Sequence, residues 1–401
     1  MLQESLHTPL LGEYDLIVAG GGVAGACAAV AARRFGVEKV LLLEKGILFG
    51  GLATQGLIAL YEPICDGEGH KITYGMGAEL MHLCRKYGPD ALPPQWEGDP
   101  DEVQTPSGRY TTFFSPAVFA LALDEFVLEA GVKVLLDTQI VRPIMEGSLC
   151  TGLVVENKTG RGYFKAGTVI DTTGDADIFH RAGAPCKEGR NFLSLLSYRT
   201  DMESLQEGLK QKNMLKSRRL ASVGSGPRGN GHPEGMPLMS GTTAEEVTEF
   251  ALTGRRLLLE SIREENRLTR DVSILPTMVQ FRTTRHIQGA RVVTESDLKQ
   301  KLPEAIARIG DFLQPGDWYE IPYGSLYVPG YPNLWTAGRS LAAEGWAWDV
   351  LRIIPGAACS GQAAGLSAGL CLQEGYTAET LPYERLLEEL KKQGSRPHGN
   401  G

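Results

Sequence analysis

The chain has 401 residues, with 48 acidic against 40 basic side chains and a net charge of −8. That balance excludes a general electrostatic pull toward nucleic acid or an anionic membrane surface. The length exceeds what one hydrophobic core usually spans, so two domains are expected, and the ordinary apolar content gives no indication of a disordered chain. Seven cysteines are scattered without a C-x-x-C pair. This spacing suggests neither a disulfide framework nor a metal site, and fits buried thiols in a reducing cytoplasm. The opening MLQESLHTPLLGEYD lacks the basic start and apolar core of a secretory signal. The one long apolar window, Leu16 to Ala32, is divided by a glycine-rich turn, so no membrane span is expected.

The stretch Tyr14 to Glu44, YDLIVAGGGVAGACAAVAARRFGVEKVLLLE, reads as strand, turn, helix and strand. Leu16, Ile17 and Val18 suit a strand buried on both faces, as a parallel sheet requires. Gly20-x-Gly22-x-x-Gly25 follows at once. The first glycine permits a tight turn, the second lets backbone approach a pyrophosphate, and the third lets helix and strand pack closely. The helix start then offers unpaired N–H groups to phosphate. Val40 to Leu43 form the next strand, and Glu44 follows Gly25 by nineteen residues, where a carboxylate accepts from an adenosine ribose hydroxyl. Gly224, Gly226 and Gly229 show the same spacing with neither strand before nor helix after, and read as a loop.

Further along, Gly50-Gly51-Leu52-Ala53-Thr54-Gln55-Gly56 is a second glycine turn, and Met76 to Tyr87 reads as a helix. Pro89 to Gly108 reads as a surface excursion, and Ser115-Pro116 opens a helix closed by Gly131. Val132 to Leu136 and Ile140-Val141 are strand-like. Leu149 to Glu156 with Gly162 to Phe164 suggest a hairpin, and Thr168 to Thr172 a separate buried strand. The last ends in Thr172-Thr173-Gly174-Asp175, and ligands in open α/β sheets bind at such carboxyl ends. From Ala184 to about Glu320 the texture becomes more polar, which suggests an inserted domain. It carries the basic cluster Phe281-Arg282-Thr283-Thr284-Arg285-His286. Leu334 to Ala337 form a late strand running into Gly338-Arg339, and Gly356 to Leu372 a helix of small residues behind Pro355.

Together these pieces resemble the FAD-dependent oxidoreductases with a glutathione-reductase-like flavin fold. They are GGGVAG with Glu44, GGLATQG, DTTGDAD, FRTTRHIQGARVVTESDL, IPYGSL, and NLWTAGRS leading to RIIPGAACSGQAAG. The late R-x-x-P with GQAAG narrows the likeness to a bacterial group whose substrates are mostly unassigned. The resemblance implies an α/β architecture. Residues 1–183 would form the first part of a Rossmann-type FAD-binding domain (with an excursion at 57–114), 184–322 an inserted α+β substrate domain, and 323–401 the return to the FAD domain. It implies noncovalent FAD held at the pyrophosphate by Gly20, Gly22, Val23, Ala24 and Gly25, and at the ribose by Glu44 and Lys45. Gly51, Ala53 and Thr54 would pass near the ribityl chain and ring, with Ile140 at the adenine and Thr173 and Gly174 nearby. Gly338 and Arg339 stand where many related flavoproteins use a Gly-Asp pair. Pro355, Gly356 and Ala357 would turn N–H groups toward the flavin N1–C2=O edge.

For chemistry, the expectation is a dehydrogenase moving a hydride between a small, possibly anionic, organic substrate and flavin N5. His286 is the first candidate base, because imidazole titrates near neutrality. Arg285 and Arg352 are candidates for a carboxylate clamp, and Tyr323 for a hydrogen-bond donor. Three alternatives compete: a flavin monooxygenase, which would need a second dinucleotide site or close NAD(P)H docking where the only other GxGxxG is the loop at Gly224 to Gly229; a fumarate-reductase-like reduction of an activated C=C; and an electron-relay flavoprotein subunit that would need an electron-acceptor partner.

Overall fold

The computed structural model describes residues 5–104 and 108–399. Part of the opening segment (1–4) and part of the excursion (105–107) lie outside the described residues.

The first strand, Leu10–Ala19, is exposed where it begins and fully buried from Leu16 to Ala19. Its buried half is central because it is paired on both sides. Leu16 to Ala19 lie parallel to Val40 to Leu43 on one edge and to Thr168 to Asp171 on the other. Lys133–Leu135 extends the sheet beyond Val40–Leu43 in parallel. Leu149–Asn157 and Gln139–Glu146 then extend the opposite side as antiparallel strands. Apolar residues without alternation are what a two-sided burial requires.

Gly160–Asp171 is one continuous strand, where the sequence reading had two. Lys165 and Ala166 stay in register with Glu13 and Tyr14, so the pairing never lapses across the polar middle. Its far edge is shared: Gly160 to Lys165 pair with Leu149–Asn157, and Val169 to Asp171 pair with the late strand Leu334–Thr336. Residues more than 160 positions downstream thereby return to the strand ends that frame Gly20 and Thr172.

Two helices pack on this sheet nearly backbone to backbone. Val23–Phe35 is buried from Val23 to Ala32, and Ile354–Glu374 is buried over almost its whole length. A Cβ on Gly361 would lie 2.2 Å from Ala24 O, and one on Gly365 would lie 2.2 Å from Ala28 O. The four-residue spacing of these glycines puts both on one face of the helix, which explains the small residues of the GQAAG segment.

Within 184–322, Ser194–Asp201 is the middle strand of a three-stranded sheet with Arg219–Gly224 and Arg270–Ile274, against which Ala244–Ile262 packs. The hairpin of Ala305–Gly310 and Trp318–Pro322 packs instead on Ile354–Glu374. Between these parts, the Thr277 N–H donates to Gln55 O at 3.0 Å, and the Gln280 amide donates to Gly56 O. The inserted segment therefore touches the second glycine turn directly. No helix among the described residues is long and apolar enough to cross a membrane.

Candidate active site

A cleft of about 460 Å³ runs from the first glycine turn, past the carboxyl ends of the central strands, to the start of Ile354–Glu374. Each glycine of the first turn has a distinct reason to be there. Gly20 has φ +114°, and a Cβ on it would lie 2.5 Å from Thr172 O. A Cβ on Gly25 would lie 1.8 Å from Gly20 O, so helix and strand end could not pack as they do. Gly22, the residue capping the helix start, has nothing within 4 Å of its would-be Cβ and lines the cleft with Val23 and Ala24. A side chain there would occupy the space in front of the unpaired helix N–H groups. That open cradle fits a bound pyrophosphate.

Glu44 is buried at the end of its strand. Its Oε2 accepts from the Gly21 N–H at 2.6 Å and its Oε1 from the Gly46 N–H at 2.7 Å. Two backbone bonds orient the carboxylate while each oxygen keeps acceptor capacity for a ribose hydroxyl. Lys45 lines the cleft beside it, with Thr138, Gln139 and Ile140 opposite. The Ile140 carbonyl is occupied by the Arg181 guanidinium at 3.0 Å.

The second glycine turn is locked to the first. Gly50 N donates to Gly21 O at 2.9 Å, and Gly50 forms a bridge with Gly22. Gly51 and Ala53 line the cleft. Thr54 does not: it is buried, and its hydroxyl donates to Phe49 O at 2.5 Å. Its neighbour Gln55 takes the lining position. The pattern of small residues was visible in sequence, but the direction of each side chain depends on the short 3₁₀ turn at Gly51–Ala53.

Thr173, Gly174, Gly338 and Arg339 line the middle of the cleft. Arg339 is fully engaged with protein. Its Nε donates to Gly174 O at 2.7 Å, Nη1 to Phe281 O at 2.7 Å and Nη2 to Asp175 Oδ1 at 2.6 Å. It joins the strand end to the inserted segment, so its guanidinium acts here as a brace. Asp171 behind it accepts from Thr173 Oγ1 and from the Ile178 and Phe179 N–H groups, yet burial still pushes its carboxyl up to about 6.

At the far end the cleft is lined by Thr277, Met278, Val279, Arg352, Ile354 and Ala357. Pro355 carries no N–H and lies outside the lining, as does Gly356, whose would-be Cβ is 2.0 Å from Leu351 O. The Ala357 N–H goes to Ile353 O at 2.8 Å, and the Ile354 N–H to Glu62 Oε2 at 3.3 Å. The first turn of the helix meets the cleft through Ile354 and Ala357, so the positive end of its dipole lies beside the cleft.

Of the four candidate catalytic residues, only Arg352 lines the cleft. Its Nε and Nη2 donate to Asp349 Oδ1 at 3.2 and 2.5 Å. His286 is buried on the strand Arg285–Ile287, with Nδ1 at 2.8 Å from Ile287 O and its ring edge-on to Trp348. Burial pushes its pKa down. Arg285 donates to Asp175 O at 3.1 Å and sits within 3.6 Å of Asp177 and Glu188. Tyr323 is buried, donating to Ala378 O at 2.7 Å and accepting from Trp335 Nε1. These three side chains hold the framework together, and their reach ends in protein partners. His286→Ala should accordingly cost about 1–3 kcal/mol of stability from a lost core contact. It should leave the pH profile of kcat/KM where it was; a profile that loses a limb near neutrality would restore His286 as the base.

Two further groups matter here: Arg282, read in the sequence only as part of the basic cluster, and Glu62, which carries no sequence signal. Arg282, in the same basic cluster, is half-buried, and its Nη2 donates to Ser225 O at 3.2 Å. Burial, then the charge of Arg352, pushes it down to about 10. Glu62 is buried against the helix start, and burial pushes its carboxyl up to about 7 despite the Ile354 N–H and Arg352. Of the cluster, Phe281 lines the cleft and Arg282 does not; Arg282 stands beside Arg352, a placement set by tertiary packing.

The sequence profile of a family described as FAD dependent oxidoreductase matches residues 15–221 and 258–390. A search of the curated proteins finds no significant match. Among solved structures, p-nitrophenol 4-monooxygenase PnpA from Pseudomonas putida DLL-E4 is similar at 14% identity and a TM-score of 0.51, covering 95% of this chain and 88% of that one. A geranylgeranyl bacteriochlorophyll reductase-like protein from Thermoplasma acidophilum aligns at 14% identity and a TM-score of 0.46, covering 96% and 85%. The myxobacterial chondrochloren halogenase CndH aligns at 15% identity and a TM-score of 0.48, covering 95% and 79%. At such identities the first of these speaks for the fold alone. With the family profile spanning most of the sequence and the glycine cradle shaped for a dinucleotide, the chain belongs to the FAD dependent oxidoreductase family, an enzyme with FAD as its cofactor.

Proposed function

We propose that the protein is a dehydrogenase moving a hydride between flavin N5 and a small organic acid. The observation that carries this reading is Arg352, which lines the same cleft as the glycine cradle with Arg282 close enough to repel it. Asp349 bonds Arg352, and the second carboxyl facing Arg352, the buried Glu62, is pushed up to about 7, so the two guanidinium groups are only partly balanced when Glu62 is protonated. A carboxylate substrate would offset that repulsion, and a guanidinium binds it in a defined orientation.

FAD supplies the hydride transfer when bound. Gly20, Gly22, Val23, Ala24 and Gly25 would shape its pyrophosphate site, with Glu44 and Lys45 at the ribose and Ile140 at the adenine. Gly51, Ala53, Thr173, Gly174 and Gly338 would line its middle, and Ala357 with the helix start its far end. Arg339 would hold the wall behind it. Arg352 would orient the acid, and Met278 and Val279 of the inserted segment would exclude water from that end of the cleft. Reduced thiols throughout (all seven cysteines are free) support a cytoplasmic setting.

An anaerobic panel of hydroxy acids, amino acids, amines and sugars tests the proposal. Bleaching of bound flavin by an acid, and not by its amide or ester, is expected. Reoxidation of reduced flavin only by an activated alkene would favour the reductase reading, and response to neither would favour a relay with a protein acceptor.

A further inference from the structure

Glu62 ends the short segment after Leu60–Tyr61 and reaches a helix that begins 292 residues later. Its carboxylate takes the Ile354 N–H, the first donor of Ile354–Glu374. The cleft takes the other side of that same turn, through Ile354 and Ala357. One helix start, with one dipole, is thus shared by a buried carboxylate on its outer side and the cofactor cleft on its inner side.

The charged and titratable groups around Glu62 are few. Arg352 faces it from the end of the helix Gly345–Leu351, already holding Asp349, and Arg282 stands beyond Arg352. On its own segment, Tyr61 precedes it, with a buried phenol that donates to Gly77 O at 2.6 Å. Among the described residues, Arg352 is the cation that stabilises a Glu62 carboxylate, and the proposed substrate would compete for it.

We propose that Glu62 is a redox-linked proton site: a carboxylate while the cofactor is oxidised, it takes one proton from solvent when reduction brings negative charge to the helix start it caps. This rests on the reading that places the flavin N1–C2=O edge at that turn. The balance is simple. The reductant is the organic substrate: its C–H hydride carries two electrons and one proton to the cofactor, its X–H proton leaves to solvent as the C=X bond forms, and one proton from solvent forms the O–H of Glu62. Two negative charges sharing one helix start in a dry site is the costly alternative. Its raised pKa leaves Glu62 poised near neutrality, so a nearby charge suffices to protonate it. Glu62 acts through the helix start and Arg352, and is a positioning residue.

The test is the pH dependence of the midpoint potential of the full FAD-loaded chain from about pH 6 to 9. The wild type should bind about two protons per electron pair in the window where Glu62 titrates between redox states, and Glu62→Gln about one. The reduced-minus-oxidised infrared spectrum should show a protonated-carboxyl band in the wild type that vanishes in Glu62→Gln and shifts in Glu62→Asp. An unchanged proton count in a Glu62→Gln chain that binds FAD overturns the inference. So does a band that persists in that variant, which would belong to another buried acid such as Asp171. Should the Gln variant fail to fold, Glu62→Asp decides, an unshifted band overturning the assignment. A wild type whose flavin binds and is reduced by acids, but with the proton count unchanged by Glu62→Gln, leaves the functional proposal standing and this inference refuted. A wild type that takes up no FAD refutes both.

Discussion

Gly25→Ala is expected to give a chain that retains no FAD and unfolds at a markedly lower temperature. The added Cβ would sit 1.8 Å from Gly20 O and 2.7 Å from Thr172 Oγ1. The Thr172 hydroxyl itself donates to Gly20 O at 2.8 Å, so the threonine cannot swing away without losing this half-buried bond. Both obstacles are anchored to strand ends, and relief must come from moving the helix or the sheet. Overpacking of this kind costs about 1–3 kcal/mol or more, and here the displaced atoms are the phosphate site itself. Gly22→Ala is the informative companion. Nothing lies within 4 Å of its Cβ, so the variant should melt like the wild type while binding FAD more weakly. Thermal melts and FAD titrations of the two variants separate packing from ligand clearance. Equal melting points for Gly25→Ala and wild type would contradict the assigned roles.

Arg352→Met is expected to leave FAD bound and to remove most of the turnover. The change keeps an apolar stem of similar length but strips a charge that Asp349 holds at 2.5 Å and that faces Glu62. Losing one member of a buried charge pair costs about 2–5 kcal/mol, or roughly 30-fold to several-thousand-fold in kcat/KM if the substrate's carboxylate is the second partner. With the cation gone, the Glu62 carboxyl should rise further, since Arg352 is one of the influences holding it down. Arg352→Lys should recover only part of the loss, because a point charge cannot serve a carboxylate and Asp349 with the same planar fork. Steady-state kinetics on the acid found in the anaerobic panel decide this. A fall of less than about threefold in Arg352→Met would remove Arg352 from the site.

What could be read in the sequence was what neighbouring residues determine among themselves. Gly20, Gly22, Gly25 and Glu44 lie within one strand–helix–strand unit, so turn, cradle and acid follow from local geometry. The return of Leu334–Thr336 was legible for another reason: a short apolar run closing on Gly338-Arg339 fits a strand whose end meets the cofactor cleft. Choices that depend on packing between distant segments were not legible. Arg282, Arg285 and His286 sit within five residues, yet Arg285 and His286 pair into a strand with Glu188 and Lys187 while Arg282 stands before it beside Arg352. Titration chemistry made His286 attractive, and a Trp348 ring against it outweighed that argument. Glu62 had no local signature, because its importance comes from an N–H 292 residues away. Thr54 and Gln55 exchanged roles over one residue, a shift that the turn at Gly51–Ala53 decides.

The central claim is that the cleft from Gly22 to the start of Ile354–Glu374 is an FAD site. The most direct measurement is the visible spectrum of the purified chain after incubation with FAD and removal of the unbound excess. About one flavin per chain, with absorption resolved and shifted from that of free FAD, is the expected result. A colourless protein that leaves all the added FAD in the filtrate would contradict it.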